Sequence, residues 1–512
     1  MSTQNKERPL ELSKVRRWAA TMVLSASLLV IMMDLSILNV ALPDLAADLK
    51  PTANQQLWII DIYSLILAGL LVPMSALADR WGRRLMLLLG LGVFGGASLL
   101  ILLAGDSMSV IAVRALLGVG GAMIMPTTLS LIRIIFTDPA ERAKALGVWA
   151  AVSSLGIAFG PIVGGLLLDH FSWQAAFLIN VPLMVLAIIA GLLLLPESRS
   201  ANPPLWDMPG SVMSVAGMIG LVWGIKRFAK EGWTDPLVWI SLIGAAALLA
   251  WFVVRCLRRS NPLLDVRLFS RAPFTGGVLA AFLSMFAMAA LLLLVAQWLQ
   301  LVEGHSPLQA GIHLLPLAAG AMIASLLAPA LAARIGARAT LAGGLFFAGA
   351  GFLVMYVFPE LTYGAVLVTL MLAGAGAGSL AIASAIIMSG TPPEKAGNAA
   401  AIEESAYDLG NVFGIAMLGS IASWIYRDHL KAETLVDQGL PSSLVATVED
   451  SLGGALAIAQ ELGANDLVEH ARSAFTDSLV GTGLVGAIIM MLAATAVFFL
   501  IPKGHDITKQ EH

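Results

Sequence analysis

The sequence predicts an all-α membrane protein with fourteen transmembrane helices, and composition and hydropathy are the observations that predict it. Of the 512 residues, 58% are apolar and 12% are charged, and the mean hydropathy is +0.86. Roughly a quarter of the residues of a soluble protein are charged, and about 20 consecutive apolar residues span a bilayer. The predicted spans are residues 18–43, 55–78, 85–104, 108–131, 143–168, 176–195, 208–225, 237–255, 274–299, 308–332, 339–357, 362–388, 399–425 and 478–501.

The distribution of Lys and Arg predicts the orientation of these spans. Of the 30 basic residues, 22 fall in the connections on the side of the N-terminus and 7 on the opposite side, and Arg114 lies inside a span. Cytoplasmic loops carry the excess of Lys and Arg, so both termini are expected in the cytoplasm. The first span could instead be a cleaved signal peptide, but its length and its Asp34 argue against that alternative.

Composition and spacing exclude several classes of function. The net charge is -3 and no long basic tract is present, so no nucleic-acid partner is expected. Cys256 is the single cysteine, which rules out an intrachain disulfide, and the histidines show no metal-ligand spacing. The chain has no G-x-x-x-x-G-K-[ST] nucleotide-binding string. We therefore expect no cofactor and no metal.

Two matches at one offset predict an internal duplication. The segment 77–84 matches 331–338, and 155–160 matches 409–414, each 254 residues farther along. Paired six-helix halves around a central site are typical of transporters. We expect an N-terminal bundle at 1–200, an inserted two-helix hairpin at 201–262 that is peripheral to both bundles, and a C-terminal bundle at 263–512. The last bundle would contain an extracellular or periplasmic loop with short amphipathic helices at 427–477.

Two short motifs carry more specific information. The first is a charge cluster at the predicted cytoplasmic ends of two spans, formed by Asp79, Arg80, Gly82, Arg83 and Arg84. It is interpreted as a gating loop, and the alternative is simple topology charge. The second is a Gly/Pro string that allows two helices to approach closely and bends one of them; ordinary small-residue packing is its alternative. Its residues are Gly156, Gly160, Pro161, Gly164 and Gly165.

Both motifs resemble signatures of the major facilitator superfamily, and the second is similar to its antiporter signature. The strings at 33–43, 56–64 and 177–182 resemble the fourteen-helix drug:proton antiporters, most closely the Qac-type quaternary ammonium and methyl viologen efflux pumps. The resemblance covers nearly the whole chain. It implies a major facilitator fold in the bacterial inner membrane and proton-coupled export of lipophilic organic cations, including antiseptics and dyes.

Charged residues inside the spans are the candidate functional residues. An acid in mid-membrane costs on the order of 3 kcal/mol on insertion scales, so it is a functional candidate by default. The resemblance implies proton-coupling or cation-binding roles for the acids and a proton-transfer role for Arg114. We assign coupling to Asp34, Asp408, Arg114 and Asp61, and substrate binding to Glu403, Glu404 and Asp61. Asp61 and Glu403 could instead mark helix ends near water, and Arg114 could form a structural ion pair.

Aromatic and methionine side chains in the spans could make cation–π and soft contacts with a cationic substrate. Packing against lipid or other helices is the alternative for each of them. The candidates are Trp58, Tyr63, Tyr407, Trp149, Met288 and Trp298. The resemblance also implies that exporters of divalent cations carry an acid in the tenth span, where this chain has Ala321, so monovalent cations are expected to be preferred.

The expected partners are protons, monovalent lipophilic cations and membrane lipids, and the protein is expected to act as a monomer. Two other functions stay open. One is proton-coupled export of another amphiphile, such as a neutral antibiotic or metabolite. The other is a membrane-embedded enzyme, although no polar catalytic cluster supports it.

Overall fold

The computed structural model describes residues 12–168, 170–200, 207–232, 234–260, 262–358, 361–389, 391–392, 395–430 and 441–503. Over these residues the secondary structure is helical, without a strand. The helices are α1 Lys14–Leu49, α2 Ala53–Trp81, α3 Arg83–Leu100, α4 Ser107–Ile135, α5 Pro139–Leu168, α6 Ala175–Leu178, α7 Asn180–Leu194, α8 Met208–Glu231, α9 Pro236–Arg258, α10 Ala272–Gln297, α11 Pro307–Ile335, α12 Ala337–Val357, α13 Tyr363–Gly378, α14 Leu380–Ser389, α15 Ala396–Leu430, α16 Ser442–Asp450, α17 Leu452–Leu462 and α18 Asn465–Leu500.

Every predicted span coincides with a helix or with a pair of consecutive helices. Within the described residues, thirteen helical segments are long and apolar enough to cross a membrane. The predicted span 143–168 falls in α5, a helix of 30 residues whose apolar end, Phe159–Leu168, is a shorter segment. The sixth span is divided into α6 and α7, and the twelfth is interrupted at Ser379 between α13 and α14.

The duplication is visible in the helix boundaries. A shift of 254 residues places both ends of α2 on the ends of α11, and the start of α3 on the start of α12. The packing repeats as well. Helix α1 packs on α5 as α10 packs on α15, α2 packs on α4 as α11 packs on α13, and α3 packs on α7 as α12 packs on α18. The two six-helix sets therefore share one internal arrangement.

The inserted hairpin consists of α8 and α9, and the two helices have different surroundings. Helix α9 packs mainly on α8, and much of its apolar surface is exposed, as expected for a peripheral helix. Helix α8 instead lies against both α2 and α15. Val222 and Ile225 of α8 are buried with Leu65 of α2 and Val412 of α15. One helix of the insertion thus lies along the junction of the two halves.

An ion pair closes the base of the hairpin. Asp207, the residue before α8, accepts hydrogen bonds from Arg255 Nε at 2.7 Å and Nη2 at 2.9 Å. These bonds hold the pKa of Asp207 below its usual range. A carboxylate with a lowered pKa stabilises the fold above its unfolded-state pKa and loses that contribution as the pH falls.

The segment 441–464 folds back onto the ends of α15 and α18. Helix α17 packs on α18, and Val448 and Leu452 are buried. Tyr426 at the end of α15 donates a hydrogen bond of 3.1 Å from its hydroxyl to the Val448 carbonyl. Helices α15 and α18 extend beyond the predicted spans 399–425 and 478–501, so much of the predicted loop is helical. Leu435, predicted on an amphipathic face, lies outside the described residues.

Candidate functional site

Four helices of the N-terminal half converge on Asp34. Its Oδ2 accepts a hydrogen bond of 2.9 Å from Arg114 Nη1, and its Oδ1 accepts one of 2.8 Å from Asn180 Nδ2. Asn180 also donates to Ser98 Oγ at 3.3 Å. Asp34 and Arg114 are fully buried, at 0% and 1% side-chain exposure. A buried charge requires a partner of opposite charge or several hydrogen bonds, and this carboxylate has both.

Tyr63 extends this cluster toward the centre of the protein. The Arg114 guanidinium carbon lies 4.7 Å from the Tyr63 ring centroid, in a cation–π arrangement. Arg114 Nε donates to the Ile59 carbonyl at 3.1 Å. Tyr63 is fully buried, and its hydroxyl has no hydrogen-bond partner among the described residues. Arg114 therefore forms an ion pair, which is the alternative to its proton-transfer role. Its partner is Asp34, the candidate coupling acid.

The C-terminal half contributes Glu403 and Glu404, both on α15 and both fully buried. Glu403 Oε1 accepts a hydrogen bond of 2.6 Å from the Tyr407 hydroxyl and another from Ser384 Oγ. Glu403 Oε2 and both oxygens of Glu404 have no hydrogen-bond partner within the described part of the chain. Buried polar atoms are satisfied in the great majority of cases, so three orphaned carboxylate oxygens side by side indicate a site for protons or a cation.

Asp408 connects these two clusters electrostatically, and Asp61 is linked to Asp408 through Lys226. Lys226 of α8 donates from Nζ to Asp61 Oδ1, and to Ser64 Oγ at 3.3 Å. The same ammonium acts electrostatically on Asp408, which is half-buried. Asp408 is also within electrostatic reach of Tyr63 and of Glu404. Charged and phenolic groups therefore follow one another from Asp34 to Glu403.

The predicted aromatic and methionine contacts divide into two groups. Tyr63 and Tyr407 belong to the clusters around the acids. Trp149 donates to Thr128 Oγ1 at 3.2 Å, and Trp298 donates to Thr476 Oγ1 at 3.3 Å, so each joins two helices of its own half. Met288 and the indoles of Trp149 and Trp298 are buried, whereas Trp58 is 36% exposed.

Sequence reasoning missed four polar residues of this region. Asn180 lies in the string 177–182, which resembles the drug:proton antiporters. That resemblance assigns no role to the side-chain amide of Asn180. Ser98 and Ser384 are single hydroxyl groups in apolar spans and carry no pattern. Lys226 is one of the seven basic residues assigned to the connections opposite the N-terminus. Its position near the end of α8 also allows its side chain to reach into the protein.

The charge cluster at the ends of α2 and α3 connects the two halves. Arg83 donates to Asp79 Oδ1 from Nε at 3.0 Å and from Nη2 at 2.7 Å. Asp79 Oδ2 faces the first turn of α15, since a Cβ placed at Gly397 would lie 2.5 Å from it. The N-terminal end of a helix stabilises a carboxylate through its partial positive charge. Ser75 Oγ adds a hydrogen bond of 2.6 Å to the Gly397 carbonyl.

The other residues of this cluster serve the turn itself. Gly82 has a φ of 122°, a conformation that favours glycine, and ends α2 where α3 begins. Arg84 donates from Nη2 to the Leu192 carbonyl at 2.7 Å, and Arg80 is exposed. Nearby, Arg133 of α4 donates to the Met388 and Thr391 carbonyls of the other half. The halves are thus joined at the predicted cytoplasmic end.

The Gly/Pro string places α5 directly on α1. A Cβ at Gly156 would lie 2.6 Å from the Leu29 carbonyl oxygen, and one at Gly164 would lie 2.9 Å from Ile37 Cγ1. A Cβ at Gly160 would overlap Ser36 Oγ. On the other side of α5, Pro161 Cβ lies 3.3 Å from the Cβ position of Gly311 in the opposite half. Gly165, which completes the string, is half-buried.

Ala321 belongs to α11 and lies where this helix packs on α13. It is 1% exposed, and its backbone nitrogen would lie 2.9 Å from a Cβ at Gly374. The expected preference for monovalent cations rested on a missing acid at this position. Ala321 is therefore buried where α11 packs on α13, and the preference for monovalent cations stays a prediction.

An all-helical, internally duplicated bundle with acids buried in both halves defines a membrane transporter. The sequence profile of the Major Facilitator Superfamily matches residues 24–415 and 278–507, and the chain belongs to this superfamily. This confirms the family resemblance. The chain is 40% identical over 487 residues to the multidrug efflux pump LfrA of Mycolicibacterium smegmatis, covering 94% of this chain and 96% of that protein.

Two further similarities extend over nearly the whole chain. The methyl viologen resistance protein SmvA of Salmonella typhimurium is 35% identical over 491 residues, covering 95% of this chain and 98% of that protein. Among solved structures, the human organic anion transporter MFSD10 superposes with a TM-score of 0.59 at 15% identity, covering 93% of this chain and 99% of that one. At that identity the superposition shows the fold alone.

Proposed function

We propose that this protein is a proton-coupled antiporter that exports lipophilic monovalent organic cations across the inner membrane of a bacterium, acting as a monomer. The observation that carries the proposal is the pair Glu403 and Glu404. Both are fully buried, and three of their four carboxylate oxygens lack a hydrogen-bond donor among the described residues. The similarity to a multidrug efflux pump and to a methyl viologen resistance protein supports export of organic cations, and the restriction to monovalent ones rests on Ala321 in the tenth span.

The chemistry of this pair favours exchange. Two adjacent carboxylates in a dry site repel each other when both are charged, and no described basic side chain forms an ion pair with either of them. The repulsion is relieved when a proton binds or when an organic cation enters. The proton and the organic cation exclude each other because each neutralises the same carboxylate charge. Binding of a cation from one side and of a proton from the other therefore gives antiport.

Asp34 is the proposed coupling group of the N-terminal half. Protonation of Asp34 would weaken its ion pair with Arg114, and Arg114 also lies over the Tyr63 ring. Tyr63 is in turn within electrostatic reach of Asp408. A change of charge at Asp34 therefore alters the electrostatic environment of the acids of α15. Under this proposal, the proton-dependent step lies in the N-terminal half and substrate recognition lies mainly in the C-terminal half.

The test is ethidium transport in everted membrane vesicles energised by a proton gradient. We expect the wild type to accumulate ethidium and to lose the accumulated dye when nigericin and valinomycin dissipate the gradient. Glu404→Gln should lower the initial rate at least about tenfold, because the neutral amide removes the charge that recognises the cation. Glu303→Gln is the matched control, since Glu303 is exposed beyond the end of α10.

Two outcomes would contradict the proposal. Accumulation that persists without the gradient would refute proton coupling. A Glu404→Gln variant that transports ethidium at the wild-type rate would refute the role of the buried pair. Transport of a neutral amphiphile with no transport of ethidium would favour the alternative substrate class.

A further inference from the structure

The inserted hairpin brings a basic side chain to the acids of the transport site. Lys226 lies near the end of α8, on the helix that packs against both α2 and α15. Its ammonium binds Asp61 of α2 and Ser64, and it acts electrostatically on Asp408 of α15. The insertion therefore supplies a positive charge at the junction where acids of the two halves meet.

This ion pair differs from the one between Asp34 and Arg114. Lys226 and Asp61 are 30% and 25% exposed, whereas Arg114 and Asp34 are 1% and 0% exposed. A partly exposed pair is screened by water and is weak. Lysine is also a compact ammonium on a flexible four-carbon stem, while arginine is a planar group that holds a fixed geometry. The Lys226 pair is therefore opened more readily by a competing ion than the Arg114 pair.

The neighbouring cation has a different environment. Arg227 donates from Nε to Asp235 Oδ2 at 2.5 Å and lies 5.3 Å from the Trp223 ring centroid. Asp235 is the residue before α9, and Trp223 is on α8, so all three residues belong to the hairpin. Of two consecutive basic residues, one binds within the insertion and the other binds the transport domain.

We propose that Lys226 is a tethered cation that occupies Asp61 in the absence of substrate and is displaced when a cationic substrate binds. The inference rests on the proposed function only in taking the substrate to be an organic cation. A substrate must then offer a charge that replaces the ammonium at Asp61, which a neutral molecule cannot do. Lys226 thus lowers the affinity for every cation by competing at Asp61, whereas an uncharged amphiphile does not compete for that carboxylate and its affinity does not depend on Lys226.

The test is the affinity for tetraphenylphosphonium, measured by isothermal titration calorimetry on the purified full chain in detergent at one pH and ionic strength. Lys226→Met should lower the Kd about three- to fivefold, the factor expected when a partly exposed ion pair no longer competes. Lys226→Arg keeps the charge and should bind within about twofold of the wild type. Arg227→Met is the matched control and should leave the Kd unchanged.

A second comparison separates competition from a structural effect. In an Asp61→Asn background there is no acid for Lys226 to occupy, so adding Lys226→Met should change the Kd less than about twofold. The neutral dye N-phenyl-1-naphthylamine should bind with the same Kd before and after Lys226→Met when Asp61 is present. The dye carries no charge that could replace the ammonium at Asp61.

Three results would overturn the inference. They are a folded Lys226→Met protein with the wild-type Kd, an equal gain in the Asp61→Asn background, and a loss of affinity in place of a gain. Failure of the proposed function would be seen in a different measurement. Proton-independent ethidium transport by the wild type would contradict coupling, and the calorimetric comparison would still decide the role of Lys226.

Discussion

At the scale of single residues, the buried acids differ in what satisfies their charge. Asp34 has an arginine and an amide as partners, and Glu403 has two hydroxyl groups. Glu404 has no hydrogen-bond donor among the described residues. These differences follow from the helices that surround each acid, and they suggest separate tasks. An acid whose ion pair weakens on protonation suits coupling, and an acid without a counter-charge suits reversible binding of a cation.

The first residue-scale prediction concerns the Asp34–Arg114 pair. Asp34→Asn leaves the Arg114 guanidinium buried without a counter-charge, so it should destabilise the protein by about 3–5 kcal/mol. The double variant Asp34→Asn with Arg114→Gln removes both charges and should be more stable than Asp34→Asn alone. Thermal unfolding of the purified proteins, followed by tryptophan fluorescence, measures the order. Additive destabilisation by the two changes would show that the pair is not energetically coupled.

At the scale of helices, glycine positions decide how close the spans approach. Gly156 and Gly160 of α5 pack on α1, and Gly410 and Gly414, 254 residues later, pack on α10 at Phe282 and Phe286. The repeat observed in the sequence is therefore a repeat of one helix contact. Pro161 is present in the first copy alone, because Ile415 occupies the corresponding position of α15.

The prediction at this scale compares two Gly→Ala changes. Gly160→Ala forces a methyl group onto Ser36 and the backbone of α1, where overpacking costs about 1–3 kcal/mol. We expect a lower melting temperature and reduced ethidium transport. Gly96→Ala in α3 is the control, since a Cβ there would meet no atom of the described structure within 4 Å. An open helical site gains about 0.5–1 kcal/mol from alanine, so equal effects of the two changes would contradict the close contact.

At the scale of the whole molecule, the two halves are held together at the predicted cytoplasmic end. Asp79 and Ser75 of α2 contact the start of α15, and Arg133 of α4 donates to one carbonyl in the last turn of α14 and to one just after it. These contacts join segments more than 250 residues apart, so they must break if the halves separate at this end. The structure therefore represents an arrangement in which the halves are in contact at the end predicted to face the cytoplasm.

The corresponding prediction is that Asp79→Asn favours opening at this end. A carboxylate at a helix N-terminus contributes about 0.3–2 kcal/mol, so its loss should raise the open population about two- to tenfold. The measurement is the rate of maleimide labelling of Ser389→Cys in everted vesicles, in a Cys256→Ser background, because Ser389 is buried here. Arg80→Gln is the control, since Arg80 follows Asp79 in the last turn of α2 and is exposed. Faster labelling by the control alone would refute the prediction.

Features that depend on local pattern are predictable from the order of the amino acids alone. Apolar runs located the spans because a bilayer requires about 20 apolar residues in succession. The 254-residue offset predicted two equivalent halves, and the acids were recognised because a charge in an apolar run is conspicuous. No tertiary information is required to identify Asp34, Glu403 and Glu404 as candidates.

Tertiary structure alone decided which groups meet. Asn180 lies 146 residues from Asp34, and Lys226 lies 165 residues from Asp61. Such pairs depend on how distant helices pack, which no local periodicity encodes. The same reason explains why Trp149 and Trp298 bind helices of their own half, why Ala321 is buried where α11 packs on α13, and why one helix of the insertion lies at the junction. Electrostatic partners in a membrane protein are set by packing in three dimensions, and only the folded arrangement brings them together.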